Sequence, residues 1–353
     1  MFSFRAEKNC SLDNRDAFGM IGTRSHATPG RSLVRSLQAW LCALSLFCLG
    51  PLSHGDELPE QIRVIVPYTA GSSLDARARV IADAVGARLQ RRVTVENRPG
   101  AGGTIGALHV ARSKPDGATL LFHNNSHVVS PWIYRELAYH PITDFAPVTQ
   151  VYVSGLALVA HPALGVTSVK DLVALARRHP APLSYASSGT GGLPHLAMEL
   201  FRRASGIELL HVPYRGDGQA LSDLLSGRVS LMMSGYPVVQ GHAKAGTLTV
   251  LAVSSAERTG IFPDVPTIAE AGYPAARLDA WVGFFAPART PRAVIERLNR
   301  EIAAAVTTPI VREHLAASGA VAVVNSPEAF TAFVARESER YGALVRELGL
   351  KSE

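Results

Sequence analysis

Two short stretches of this chain combine small residues, hydroxyls and a helix-like run just downstream, a combination suited to holding an anion. The first is Tyr68-Thr69-Ala70-Gly71-Ser72-Ser73-Leu74-Asp75; the second is Ser187-Ser188-Gly189-Thr190-Gly191-Gly192-Leu193-Pro194-His195. A helix start presents unpaired backbone N–H groups and a positive dipole end, so a carboxylate or phosphate can be held there without Lys or Arg. Small residues let such a ligand approach the backbone closely. Ser72 followed three positions later by Asp75 has the spacing of a capping box. Either stretch alone also fits an ordinary strand-to-helix connection, so their pairing in one chain is what carries weight.

The flanking sequence supplies the elements that must position these loops. Ile62 to Pro67 is strand-like, and Ala78, Ile81, Ala82, Val85 and Leu89 then recur with the period of a core-facing helix. Strands are expected at Val93–Glu96, Thr119–Phe122, Leu183–Ala186, Leu209–Val212, Val229–Met233 and Leu248–Val253, with a long extended run from Val148 to Val159. Helices are expected from Ser168 to Arg178, from Pro194 to Ser205 and from Gln219 to Leu225. This alternation predicts an α/β protein with mostly parallel sheets flanked by helices.

The amino end predicts export. Arg31 and Arg35 precede an uncharged stretch from Leu37 to Gly50, and Ser53-His54-Gly55 offers small residues at a cleavage site, giving a cleavable signal peptide over residues 1–55. Cys10, Cys42 and Cys48 all fall in that part, so the remaining chain has no disulfide, thiolate metal site or cysteine nucleophile. A periplasmic protein fits this pattern better than a disulfide-stapled extracellular domain. The 298 residues from Asp56 onward exceed the size at which chains usually divide, so two lobes are expected. The formal net charge of +6 falls to about +3 without the six basic and three acidic residues of 1–55. That is too mild for a nucleic-acid binder, and no Lys/Arg cluster is interleaved with aromatics.

Enzyme readings fare poorly. Gly100 to Gly106 follows a strand, but no choice of its glycines satisfies G-x-G-x-x-G. Ala186-Ser187-Ser188-Gly189 lacks the glycine spacing of a nucleophile elbow. His123 and His127 have a zinc-compatible spacing, but Asn124-Asn125-Ser126 reads as a loop and no third ligand is apparent.

The motifs in order carry a resemblance. Val66 to Gly71 with Asp75, Glu96-Asn97-Arg98-Pro99-Gly100, Pro115-Asp116-Gly117, Asp144 to Pro147, Tyr185 to Gly189, His211 to Tyr214, Asp264 to Gly272 and Trp281 to Pro287 resemble the successive signatures of the substrate-binding proteins of tripartite tricarboxylate transporters, the Bug family. The resemblance implies a two-lobed Venus-flytrap receptor of the periplasmic-binding-protein architecture. It closes on a small organic acid, passes it to membrane permease subunits, and needs no cofactor or metal. Lobe one would comprise residues 56–154 plus 281–353 and lobe two 155–280, with Val148–Val159 and Trp281–Ala286 crossing between them. A monomer is expected. A receptor feeding a membrane sensor would have the same lobes, and an exported enzyme is the remaining alternative.

By the same resemblance, the ligand lies between the loops Tyr68–Asp75 and Ser187–His195, against Tyr68, Thr69, Ala70, Gly71, Ser72, Ser73, Asp75, Ser188, Gly189, Thr190, Gly191, Gly192, His195, Tyr214, Arg215, Ser234 and Trp281. Several of these have a second reading. His195 either donates to a carboxylate or satisfies a neighbouring backbone group; Tyr68, Tyr214 and Trp281 either wall the pocket or pack the core. Asp75 either touches ligand or orders its own loop, and Arg215 is either a charge partner or solvated. The chain departs from the family where Met233-Ser234-Gly235 replaces a Phe-Asp-Asn, removing a carboxylate that could recognise an ammonium group. A ligand without an amino group is therefore expected.

Overall fold

The computed structural model describes residues 58–214 and 216–350, so the expected signal segment and Arg215 lie outside the described residues. The first sheet holds β1 (Gln61–Val66), β2 (Arg92–Asn97), β3 (Thr119–Asn124), β4 (Phe145–Ser154), β10 (Ala280–Pro287) and β11 (Ala320–Ala322), in the order β11-β4-β10-β3-β1-β2. The second holds β5 (Leu156–Ala160), β6 (Leu183–Ser187), β7 (Leu209–Pro213), β8 (Leu231–Gly235) and β9 (Thr249–Val253), in the order β7-β6-β8-β5-β9. Helices α1 (Ser73–Leu89), α2 (Thr104–Ala111) and α3 (Ser126–Ile133) follow β1, β2 and β3, and α8 (Arg292–Val306), α9 (Pro309–Ala317) and α10 (Pro327–Glu347) complete this part. Around the second sheet lie α4 (Val169–Arg178), α5 (Leu193–Ser205), α6 (Asp217–Leu225) and α7 (Tyr236–Lys244).

The α/β, two-sheet architecture is the one expected, with one difference in strand direction. β1 runs parallel to β2 and β3, and β6 parallel to β7 and β8, but β10 is antiparallel to β3 and β4, and β5 antiparallel to β8 and β9. The sheets are therefore mixed rather than mostly parallel. The strands that receive the chain from a crossing, β5 and β10, run against the β-α-β set, whereas β4 and β9, which lead into the crossings, run with it.

Burial on both faces explains the near-continuous apolar runs. In β1, Val64 and Val66 face one core while Ile65 faces another; Leu120 and Phe122 split from Leu121 in β3 in the same way, and Phe284 from Phe285 in β10. Each such fully buried side chain contributes about 1.5–3 kcal/mol relative to exposure. The helices that follow are bounded by local signals. Ser72 caps α1 with its hydroxyl accepting Asp75 N–H, and Gly206 closes α5 in the left-handed conformation.

The chain passes from the first sheet to the second at Gly155, between β4 and β5. A Cβ there would overlap the Tyr236 hydroxyl and crowd Ser255, so only glycine fits. The return runs alongside. Ser254 Oγ accepts Leu156 N–H at 2.9 Å and donates to the Leu278 carbonyl at 2.6 Å, and Ala280 pairs with Ser154. Trp281–Ala286, expected to cross, instead lies within β10, with the crossing just before it.

Candidate functional site

The first loop is held from beneath. The Asp75 carboxylate, 3 % exposed, accepts Gly71 N–H at 2.9 Å, Asn97 Nδ2 at 2.9 Å and Arg79 Nε at 3.1 Å. Asn97 also donates to the Tyr68 carbonyl, tying β2 to the loop. Burial raises the Asp75 pKa, but the hydrogen bonds from Arg79, Gly71 and Asn97 outweigh it and hold the carboxyl below its ordinary value.

The second loop has its own brace. Gly191 N–H donates to His195 Nδ1 at 2.9 Å, which makes this nitrogen an acceptor and the ring neutral. His195 lies flat on His211 with centroids 3.8 Å apart, and His211 Nε2 is 2.7 Å from Ser187 Oγ. Tyr185 lies beside this pair, its ring near-parallel to that of His211 with centroids 4.9 Å apart, and donates to Glu199, which pairs with Arg202. Ser187 is fully buried beneath the loop, so the Ser187–His211 pair is a strut and not a nucleophile open to substrate.

Between the two sheets lies a cavity of about 450 Å³. Its walls are made largely of helix starts. Ser72 and Ser73 open α1, Ser126 opens α3, Gly192 and Leu193 open α5, Asp217 opens α6, and Gly235 and Tyr236 open α7. Five helix N-termini thus converge on one space from both sheets, which favours a bound anion. Pro194 and Pro237 each remove one backbone donor in the first turn of α5 and α7.

Of the residues expected at the ligand, Tyr68, Ser72, Ser73, Ser188 and Gly192 line this cavity. Thr69, Ala70, Gly71 and Thr190 are exposed. Asp75 and His195 lie under their loops, and Gly191 packs against Ile133 of α3 so closely that a Cβ would overlap it. Gly189 accepts from Ser187 Oγ through its carbonyl. The Tyr214 hydroxyl donates to Asp223 at 2.8 Å, within the second sheet's own layer. Ser234 is fully buried, its Oγ without a partner, one residue before the lining Gly235. Trp281 is buried with its backbone N–H on Asn125 Oδ1 and its ring nitrogen on Glu337, on the wall of a different hollow.

That second hollow, about 940 Å³, lies among the crossings and α10. Apart from the exposed Glu257, its charged side chains are already paired, Arg258 with Glu270, Arg277 with Asp279 and Arg340 with Glu337, and none of the five helix starts except that of α7 reaches it. The smaller cavity is therefore the candidate site.

Two charged residues in the cavity were not singled out from sequence. Arg77, 7 % exposed, donates to Ser318 Oγ at 2.9 Å and to the Tyr152 hydroxyl at 3.3 Å, and its guanidinium stands over the Tyr152 ring. Among the described residues no carboxylate pairs with it. Its signal was positional: Arg77 falls four residues before Ile81 on the apolar stripe of α1, an unusual place for a charge. Asp217, the first residue of α6, is the second. The glycines of the Gly100–Gly106 stretch serve packing instead of nucleotide binding, since a Cβ at Gly106 would collide with Pro67. His123 and His127 stand in the core with rings 5.6 Å apart. Among the described residues no group of three or more His, Cys, Asp or Glu side chains could hold a metal.

Residues 77–350 match the model of the tripartite tricarboxylate transporter family receptor. The chain belongs to that family. Family members are periplasmic solute-binding receptors and not enzymes, which removes the hydrolase and dinucleotide readings. Protein BugT of Bordetella pertussis is 37 % identical over 303 residues, spanning 85 % of this chain and 93 % of BugT. The solved structure of the periplasmic binding protein BugD superposes with a TM-score of 0.72 at 31 % identity, covering 84 % of this chain and 100 % of BugD. That of R. palustris Rpa4515 with adipate gives a TM-score of 0.74 at 33 % identity, covering 83 % and 98 % of the two chains. These likenesses bear out the family resemblance and the two-lobed α/β fold.

Proposed function

We propose that this receptor captures a small organic acid in the cleft between its two sheets and delivers it to the permease subunits of a tripartite tricarboxylate-type transporter. The observation that carries this reading is the convergence of five helix N-termini on one cavity from both sheets. The carboxylate is gripped by the Ser73 N–H and the Ser72 and Ser73 hydroxyls on one side and by the Ser188 hydroxyl and the Leu193 N–H on the other, the N–H groups of Ser72 and Gly192 being held by the Thr69 and Gly189 carbonyls. The Arg77 guanidinium supplies the positive charge. Residues 58–154 with 281–350 form one lobe and 155–280 the other, and the lobes close about the paired crossings at Gly155 and Leu278–Ala280. The adipate bound to Rpa4515, a relative of the same fold, supports an organic acid as the ligand class.

The test is calorimetric titration and thermal melting of the protein purified from the periplasmic fraction, against straight-chain mono- and dicarboxylates of graded length. A true ligand at about 100 times its Kd adds about 2.7 kcal/mol and raises the melting temperature. Failure of every organic acid to bind or stabilise the protein would overturn the reading.

A further inference from the structure

The double crossing is also a partition. Successive side chains of a strand point to opposite faces, so Tyr152 of β4 and Val282 of β10 line the 450 Å³ cavity while their neighbours Val153 and Trp281 line the 940 Å³ hollow. Ser154, Gly155 and Tyr236 line both. Ser154 and Gly155 belong to the outgoing crossing. Tyr236 is the first residue of α7, whose start is one of the five that converge on the candidate site. It borders two spaces yet is only 1 % exposed, so its ring plugs the partition between them.

That ring is fixed on one side and smooth on the other. It meets Phe262 edge-on with centroids 5.7 Å apart, and its hydroxyl lies 3.0 Å from Ser255 Oγ, both partners falling within residues 155–280 like Tyr236 itself. Toward the rest of the molecule it meets glycine. A Cβ at Gly319, between α9 and β11, would overlap the Tyr236 ring, and one at Gly155 would overlap its hydroxyl. These contacts are dispersion between a side chain and bare backbone. They carry no directional bond, so the ring can turn against both glycines without breaking one. Resting on the two-lobed receptor reading above, we propose that Tyr236 is the pivot of closure, a positioning residue seated in a socket of Gly155 and Gly319, about which narrowing of the cleft widens the hollow behind it. An acid held at the start of α7 thereby acts on the residue that sets the angle between the lobes.

The test is pulsed-EPR distance measurement on the ligand-free protein from the periplasmic fraction. One spin-labelled pair spans the cleft, Ala70→Cys with Gln219→Cys, and another spans the hollow, Ala256→Cys with Val321→Cys, at four exposed positions. Gly155→Ala drives a methyl against the Tyr236 hydroxyl and is expected to shift the two distances in opposite senses, by about 2 Å or more. Adding Tyr236→Phe removes the oxygen in its way and is expected to return both distances at least part of the way to the wild-type values. No shift, shifts of the same sign, or a shift undiminished in the double variant would overturn the proposal. Tyr236→Phe alone keeps the ring but releases it from Ser255, and is expected to broaden both distance distributions; unbroadened distributions would overturn the proposal even where Gly155→Ala does not fold. No acid is present in these measurements, so the pivot can fail while the organic-acid reading stands, and the reverse.

Discussion

At the residue scale, the two histidines under the second loop couple its shape to pH. His195 faces His211, with Tyr185 and Glu199 nearby, and its Nδ1 is occupied by Gly191 N–H. Burial first, and then His211, draw its pKa from 6.5 down to about 4, with Glu199 acting in the other direction. Over that interval the unfolded chain binds a proton that the native state does not. The His195 contribution to stability is therefore complete above pH 6.5 and is lost as pH falls toward about 4. His195→Asn retains an acceptor near Nδ1 and cannot titrate, so its melting temperature is expected to fall less steeply than the wild type's over this acid range. Identical acid slopes would contradict the assignment. The loop itself was legible in sequence because caps, hydroxyls and glycines act locally. Arg77 and Asp217 were not, because whether a charge is buried in a cleft is decided by elements far away in the chain, such as Tyr152, Ser318 and the second loop.

At the scale of elements, the crossings between sheets are the parts whose mechanics matter most. Ser254, 1 % exposed, accepts from Leu156 N–H and donates to the Leu278 carbonyl, so one hydroxyl joins the outgoing and returning chains. Ser254→Ala leaves both backbone groups buried without that partner. It is expected to lower stability by about 1–3 kcal/mol, read from denaturant midpoints at constant m. A loss below a few tenths would show that the hydroxyl does not tie the crossings. The strand and helix alternation could be read from periodicity, since both faces of each sheet are covered and the apolar runs are strong. The return crossing could not. Trp281–Ala286 is as apolar and extended as a crossing segment, and only its pairing with β3 and β4 reveals it as sheet interior.

At the scale of the molecule, two sheets with their helices present their carboxyl-terminal strand ends, and hence their helix starts, to a common space. The second loop touches α3 of the other sheet's layer through Gly191 and Ile133, and the double crossing keeps the two parts in register while leaving the cleft open to a ligand. Opposing helix starts explain how an acid can be held with few cations, and they account for the placement of hydroxyls and glycines in both loops. The most direct test of this account is a crystal structure of the receptor with its tightest-binding organic acid. The account predicts the acid in the 450 Å³ cavity, with a carboxylate at hydrogen-bond distance from the N–H groups of Ser73 and of Leu193. An acid seated instead in the 940 Å³ hollow beside Trp281 and Arg340 would contradict it.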